Sequence, residues 1–183
     1  MSTPLSGHTA LLEAASFAAR AHRHQLRKDG QTPYAAHPFR VCLIVRHVFG
    51  IDDPATLTAA LLHDTIEDTP TDFDDLAERF GPQVAGWVGA LTKDMRLPDA
   101  EREAAYMAVL AAAAPAVKIA KLADIFDNLT DSKHLSPASR QRTVERTRKY
   151  LAALEINVSE SAQRPLEIVR QLLDEVGARP AAT

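Results

Sequence analysis

No stretch of this chain alternates apolar and polar residues at period two, whereas apolar residues return every three or four positions along most of its length. That pattern predicts an all-α fold, a bundle of roughly eight to ten helices. Only seven glycines occur in 183 residues, too few for the frequent turns of an all-β sandwich. Prolines mark the segments. A first helix is expected from about Gly7–Thr9 to Gln25, with Leu11, Leu12, Ala15, Ala18, Ala19 and His22 on one face. A loop follows over Arg27–Ala36, with Asp29-Gly30 as its turn and Pro33 as a breaker. The second helix runs from about His37 to Val48 and ends before Gly50, a residue suited to the C-terminal cap. Pro54 opens a third helix that Pro70 stops by Thr69. Further helices are expected over Phe73–Phe80, Val84–Lys93, Asp99–Ala113, Pro115 to about Lys133, Pro137 to about Leu154, and Pro165–Val176. Ser136 reads as an N-cap, and the tail Gly177–Thr183 is expected to fray.

The length fits one domain, over residues 1–183, and 46% hydrophobic residues can supply its core. A net charge of −3 gives no electrostatic basis for a dedicated nucleic-acid binder. Cys42 is the only cysteine, which excludes an internal disulfide and a cysteine-based zinc site. There is no apolar run of the roughly 18 residues that a membrane span needs. Met1–His8 lacks the basic and apolar regions of a secretory signal, so a cytoplasmic location is the expectation.

Three segments carry chemistry. In LLHDTIED, His63 and Glu67 are four residues apart, as are Asp64 and Asp68, so each pair shares a helix face. Carboxylates stacked this closely repel unless a cation or proton relieves them. Imidazole with carboxylate suits Mn2+, Fe2+, Zn2+ or Ni2+, and the donor set does not choose among them. Acids at a helix C-terminus also oppose its dipole, so a purely stabilising role is disfavoured there. The second segment is Lys118–Leu129, where Ala120, Asp124, Asn128 and Asp131 form a stripe within an apolar helix. An unpaired carboxylate would be costly there. A bland alternative pairs Asp124 with Lys121 and lets Asn128 cap a neighbouring loop. The third is His37-Pro38, after a loop carrying Arg27 and Lys28.

The ordered set His37, His63-Asp64, Asp124 resembles the HD-domain metal-dependent phosphohydrolases. Within them it is most similar to the hydrolase domain of RelA/SpoT homologues, especially the stand-alone small alarmone hydrolases. The resemblance rests on FAARAHRHQLRKDGQTPYAAHPFRV, AALLHDTIEDT, FGPQV and VKIAKLADIFDNLTD, and spans roughly residues 10–155. It implies a single HD-domain helical bundle, with the hydrolase core over about residues 8–155. It implies that His37, His63, Asp64 and Asp124 hold one divalent ion, typically Mn2+. Glu67 and Asp68 match an acidic pair that orients and deprotonates the attacking water. Arg27 and Lys28 match a loop meeting base and phosphates, Asn128 a nucleoside contact, and Tyr150, four residues after Arg146, a tyrosine near the pocket. The implied reaction removes the 3′-pyrophosphate from guanosine tetra- or pentaphosphate, so the implied partner is a small guanosine nucleotide and not a nucleic acid or a membrane. Nothing after residue 155 reads as a synthetase domain, so the resemblance implies hydrolysis alone.

The chain departs from that pattern after Asp124. Family members commonly have a basic residue, an apolar one, then His, Tyr or Asn; here the run is Ile125-Phe126-Asp127. Two other readings stay open, and the lost cation and added acid favour the first of them. One is the same scaffold acting on another phosphorylated nucleotide or nucleotide cofactor. The other is a nucleotide-binding module without turnover, which would have no need of Glu67 and Asp68. His22 and His47 are expected to be structural, and His8 and His134 to lie at the surface. Trp87 and Cys42 are expected to pack. The cationic run Arg140–Lys149 reads as a solvated face from which Arg142 and Arg146 can reach phosphates at a pocket mouth.

Overall fold

Pro54, Pro82, Pro115 and Pro137 each stand in the first turn of a helix, where the missing N–H costs nothing because it would have no partner within the helix. In the computed structural model, which describes residues 4–178, ten α-helices follow one another. They are α1 (Pro4–Ala21), α2 (Ala36–Leu43), α3 (Pro54–Leu62), α4 (Thr65–Asp68) and α5 (Phe73–Phe80). Then come α6 (Pro82–Leu91), α7 (Asp99–Ala112), α8 (Pro115–Asp131), α9 (Pro137–Glu155) and α10 (Glu160–Ala178). No β-strand is formed among the described residues beyond an isolated bridge between Leu26 and Pro33. The fold is all-α, as the periodicity requires.

Local chemistry sets most boundaries. Asp53 caps α3 by accepting from the Thr56 N–H at 2.8 Å. Asp72 and Asp75 form a reciprocal capping box at the start of α5. Ser136 Oγ accepts from the Ser139 N–H at 3.3 Å, so it caps α9 as expected. Gly50 has φ +74°, a left-handed conformation that a side chain would strain.

Four expectations are corrected. The second helix is not uniform: after Leu43 it widens into a π-helical turn over Ile44–Val48. The first helix stops at Ala21, and residues 22–25 form turns. The third helix does not run to Thr69 but ends at Leu62, and α4 restarts at Thr65. The last helix starts at Glu160, with Pro165 inside it. Its apolar stripe explains this: Ala162, Pro165, Leu166, Val169, Leu173 and Val176 are all buried, so packing holds the helix through the missing N–H. Gly177 and Ala178 remain helical; the rest of the expected frayed tail, 179–183, lies outside the described residues.

α8 is the axis of the molecule, packed against α2, α3, α9 and α10. Eleven of its residues are buried, including Lys118, Asp124 and Asp127. A second apolar cluster joins α1, α3, α5 and α6 around Leu62, Leu76 and Val88. Trp87 is half-buried and packs against both clusters. No helix among the described residues is long and apolar enough to cross a membrane.

Candidate active site

The start of α2, the break between α3 and α4, and the middle of α8 meet at one point. They bring His37, His63, Asp64 and Asp124 together, the four ligands expected from sequence. Ligand atoms of His37, His63 and Asp124 lie within 4.8 Å of one another, and all three residues are buried. Asp64 Oδ2 sits 3.4 Å from His37 Nε2 and 3.0 Å from His63 Nε2. Asp124 Oδ1 is 3.2 Å from His37 Nε2 and 3.8 Å from His63 Nε2.

Each ring's outer nitrogen is committed elsewhere. His63 Nδ1 donates to the Ala60 carbonyl at 2.9 Å, and His37 Nδ1 donates to Asp127 Oδ2 at 2.6 Å. Both Nε2 atoms thereby face the carboxylates, and a second ring nitrogen committed to a fixed acceptor is what metal-binding histidines show. His63 Nε2 is buried and makes no hydrogen bond. A buried nitrogen left unpaired costs about 1–3 kcal/mol, and a divalent ion among these four side chains would remove that cost. The residues present therefore fit such an ion.

Their mutual electrostatics point the same way. Burial pushes the His37 imidazole down, but hydrogen bonds to Asp124, Asp127 and Asp64 prevail and raise its pKa to about 10. His63 is raised too, because Asp64 and Asp124 outweigh its burial. Burial works against the charged form of Asp64, yet His63 and His37 hold its carboxyl well below the usual range. Asp124 is likewise held low against its burial, by Lys121 and both imidazoles. Without an ion, protons on the two imidazoles offset the carboxylates; a divalent ion would take the place of those protons.

Breaking the helix at His63-Asp64 changes what Glu67 and Asp68 do. The helix is interrupted there, but Asp68 still follows Asp64 by one turn, its N–H donating to the Asp64 carbonyl at 3.0 Å. Glu67 Oε2 accepts from the Lys93 N–H at 2.7 Å, and Asp68 lies 3.3 Å from the Tyr34 hydroxyl. Both still line the cavity beside the cluster, which has a volume of about 190 Å³. Burial and the nearby Asp64 charge raise both carboxyls, against the Lys93 N–H at Glu67 and the Tyr34 hydroxyl at Asp68. Two carboxylates with raised proton affinity beside such a cluster are suited to take up a proton.

The expected substrate contacts divide. Asn128, Arg146 and Tyr150 line this cavity, and Arg146 also lines an adjoining groove of about 850 Å³ with Lys28, Arg142 and Lys149. Asn128 Nδ2 donates to Asp124 Oδ1 at 2.5 Å, so its amide also steadies that carboxylate. The Tyr150 hydroxyl donates to Glu103 Oε2 at 2.6 Å. Arg27 is not on the cavity wall. Its buried guanidinium donates to Asp131 Oδ2 at 2.9 and 3.0 Å and to Asn128 Oδ1 at 3.3 Å.

Three residues were not assigned a site role from sequence. Tyr34 donates to Asp64 Oδ2 at 2.7 Å; its place three residues before His37 was the available signal. Lys121 does pair with Asp124, at 2.7 Å, and it lines the cavity as well, so the bland and functional readings coexist. Lys93 had no sequence signal, because only the fold brings the end of α6 and the residues just after it to the cavity. His22 is buried as expected, its Nδ1 2.7 Å from Gln25 Oε1.

This constellation can be compared with known proteins. The HD-domain family matches residues 14–159. The chain belongs to that family. Among HD-domain proteins it is 40% identical over 169 residues to the guanosine-3′,5′-bis(diphosphate) 3′-pyrophosphohydrolase MESH1 of Mus musculus, covering 91% of this chain and 94% of that one. The Homo sapiens MESH1 is 47% identical over 128 residues, 69% of this chain and 72% of the relative. A solved structure, described as a metazoan orthologue of SpoT that hydrolyses ppGpp and plays a role in starvation responses, superposes with a TM-score of 0.77. It is 33% identical and covers 88% of this chain and 94% of its own.

Proposed function

We propose that the chain is a guanosine-3′,5′-bis(diphosphate) 3′-pyrophosphohydrolase that depends on a divalent ion, Mn2+, and acts in the cytoplasm. The observation that carries this reading is the convergence of two imidazole Nε2 atoms, each with its Nδ1 committed elsewhere, on Asp64 and Asp124 beside a cavity walled by Glu67 and Asp68. The MESH1 relatives support the choice of substrate.

His37, His63, Asp64 and Asp124 would hold the ion. When bound, a divalent ion lowers the pKa of water and offsets charge on phosphoryl oxygens. Glu67 and Asp68 orient the attacking water and accept its proton. The water oxygen bonds to the 3′-phosphorus, the bond from phosphorus to the ribose 3′-oxygen breaks, that oxygen takes up the proton, and the products are GDP or GTP and pyrophosphate. Lys121 keeps Asp124 charged from the side away from the imidazoles. Lys28 and Arg146 place cations at the junction of cavity and groove, where a highly charged nucleotide has to enter. Asn128 and Tyr150 line the inner wall. Arg27 acts through Asn128 and Asp131, whose positions it fixes, rather than by touching substrate.

Asp127 is not an unbalanced acid in the pocket. It is buried and held by His37, Arg40 and Arg27, so the departure at 125–127 does not add repulsion against phosphate. The test is a product assay on protein loaded with Mn2+. Guanosine tetraphosphate should give GDP and pyrophosphate one to one, and Asp64→Ala should abolish both. Orthophosphate as the product, or turnover only of another phosphorylated nucleotide, would overturn the substrate assignment. Absence of turnover with metal bound would leave a nucleotide-binding module.

A further inference from the structure

α2 and α8 cross at the cluster, and the residues one turn beyond the expected ligands on each helix form a second layer. On α2, Arg40 is three residues after His37. On α8, Asp127 is three residues after Asp124, and Asp131 four further on. Arg40 grips Asp127 with a two-pronged contact, Nε to Oδ1 at 2.6 Å and a terminal nitrogen to Oδ2 at 3.0 Å. The same terminal nitrogen reaches Asp131 Oδ2 at 3.0 Å. Arg27 closes the group from the loop side, at 2.9 Å from Asp131 and 3.5 Å from Asp127. Asp127 is 3% exposed. A carboxylate so buried is tolerated only with its charge paired and its lone pairs occupied; two guanidinium groups and the His37 Nδ1–H do that here.

The order of these contacts is what gives them a role. His37 is 1% exposed and has one polar neighbour at Nδ1, which is Asp127. A ring whose Nδ1 proton is held by a carboxylate keeps its lone pair at Nε2 and becomes a stronger donor to a metal. The two-pronged contact fixes the plane of the Asp127 carboxylate, and therefore the direction in which it accepts.

We propose that Asp127, clamped by Arg40, is a positioning residue for the metal centre. It holds His37 in the tautomer and orientation that binds the ion, and Arg40 acts on the metal through it. This rests on the metal-site reading above and assigns a purpose to two residues that reading does not use.

The test is metal binding by the full chain, freed of metal and titrated with Mn2+ or Co2+ alone against a competing chelator. Asp127→Ala should bind Mn2+ about 10–100-fold more weakly, the loss typical for removing the hydrogen-bond partner of a ligating histidine. Its Co2+ complex should show a changed visible absorption band, which a purely structural role would not move. Asp127→Asn keeps an oxygen acceptor for the Nδ1 proton and should recover part of the affinity. Arg40→Ala leaves Asp127 in place, should weaken binding by a smaller factor, and serves if Asp127→Ala does not fold. The double variant should lose no more than Asp127→Ala. Asp64→Ala reports on the site itself. If the wild type binds the ion, Asp64→Ala does not, and every folded Asp127 and Arg40 variant binds within twofold of wild type with an unchanged Co2+ spectrum, the positioning role is overturned and the metal site stands. If the wild type binds neither ion, both fall.

Discussion

The Tyr34 hydroxyl donates to Asp64 Oδ2 at 2.7 Å and lies 3.3 Å from Asp68 Oδ2, tying a candidate ligand to a candidate base. Burial and three surrounding carboxylates push this phenol far above its ordinary pKa, so it remains a donor throughout the working pH range. A hydrogen bond to a charged group contributes about 1.5–3 kcal/mol, and each 1.4 kcal/mol is a factor of ten. Tyr34→Phe should lower kcat/KM about tenfold or more, with the circular dichroism spectrum unchanged. Activity within twofold of wild type would show that Asp64 needs no help from the phenol.

Metal should also act as a stabiliser. An ion held by four side chains that the unfolded chain does not gather binds the native state alone. At a free concentration about 100 times Kd it adds about 2.7 kcal/mol. For a chain of this length each kcal/mol moves Tm by roughly 2–4 °C, so a rise of about 5–10 °C on adding Mn2+ is expected. EDTA should reverse it and abolish turnover. His63→Ala should show neither the rise nor activity.

Glu67 should set the acid side of the pH profile. Burial and the nearby Asp64 charge raise its carboxyl above the ordinary glutamate value of 4.5, despite the Lys93 N–H. A base must be unprotonated, so kcat/KM should rise with pH through this raised pKa and fall below it. Stability has the opposite sign. The native state binds this proton more tightly than the unfolded chain, so ionising Glu67 destabilises the fold as pH rises through the folded pKa. At neutral pH Glu67→Gln should therefore raise Tm while lowering kcat by about 100-fold or more. A variant that loses Tm and activity together would mark Glu67 as structural.

How much of this was legible follows from what each feature depends on. The candidate ligands His37, His63, Asp64 and Asp124 were legible because their order and residue types carry the family resemblance, however far apart they lie in the chain. Capping residues such as Asp72 and Ser136 were legible because their chemistry is local. The end of α3 at Leu62 was not: Thr65 to Thr69 contains no breaker, and the chain turns because His63 Nδ1 bonds back to Ala60 and the imidazole has to face α8. Asp127 was read as an added negative charge because its compensating partners, Arg40 and Arg27, lie 87 and 100 residues away in sequence. Pro165 misled because proline preference is a local signal, and the packing of α10 on α8 and α9 overrode it.

Lys118 offers a contrast with Lys93 and Lys121, which line the cavity. It is 1% exposed, and its Nζ donates to the carbonyls of Ala111 at 3.1 Å, Leu154 at 3.3 Å and Ile156. These carbonyls belong to the ends of α7 and α9, where helices leave acceptors unpaired. Lys118→Met keeps the aliphatic stem but strands the carbonyls, each at about 1–3 kcal/mol if no water replaces the ammonium. Tm should fall by roughly 5 °C or more, measured by thermal unfolding, while kcat per folded molecule stays at the wild-type value. Loss of kcat without loss of Tm would place Lys118 in the site instead.

Cys42 tests the packing of α2 from its other face. Its side chain is half-buried against both apolar clusters, and that burial pushes the thiol to about 11, against the opposing charge of Arg46. The thiolate is the nucleophile, and a free cysteine with a pKa of about 8.5 is roughly one quarter ionised at pH 8. A thiol at about 11 is ionised there to about one part in a thousand. Alkylation by iodoacetamide at pH 8 should therefore run at least about 100-fold slower in the native protein than in denaturant, and should accelerate about tenfold per pH unit up to 10. Since Cys42 lies on the same helix as His37, a rate that rises in the absence of metal would show α2 loosening when the centre is empty. A rate independent of metal would show that apolar packing alone holds the helix in place.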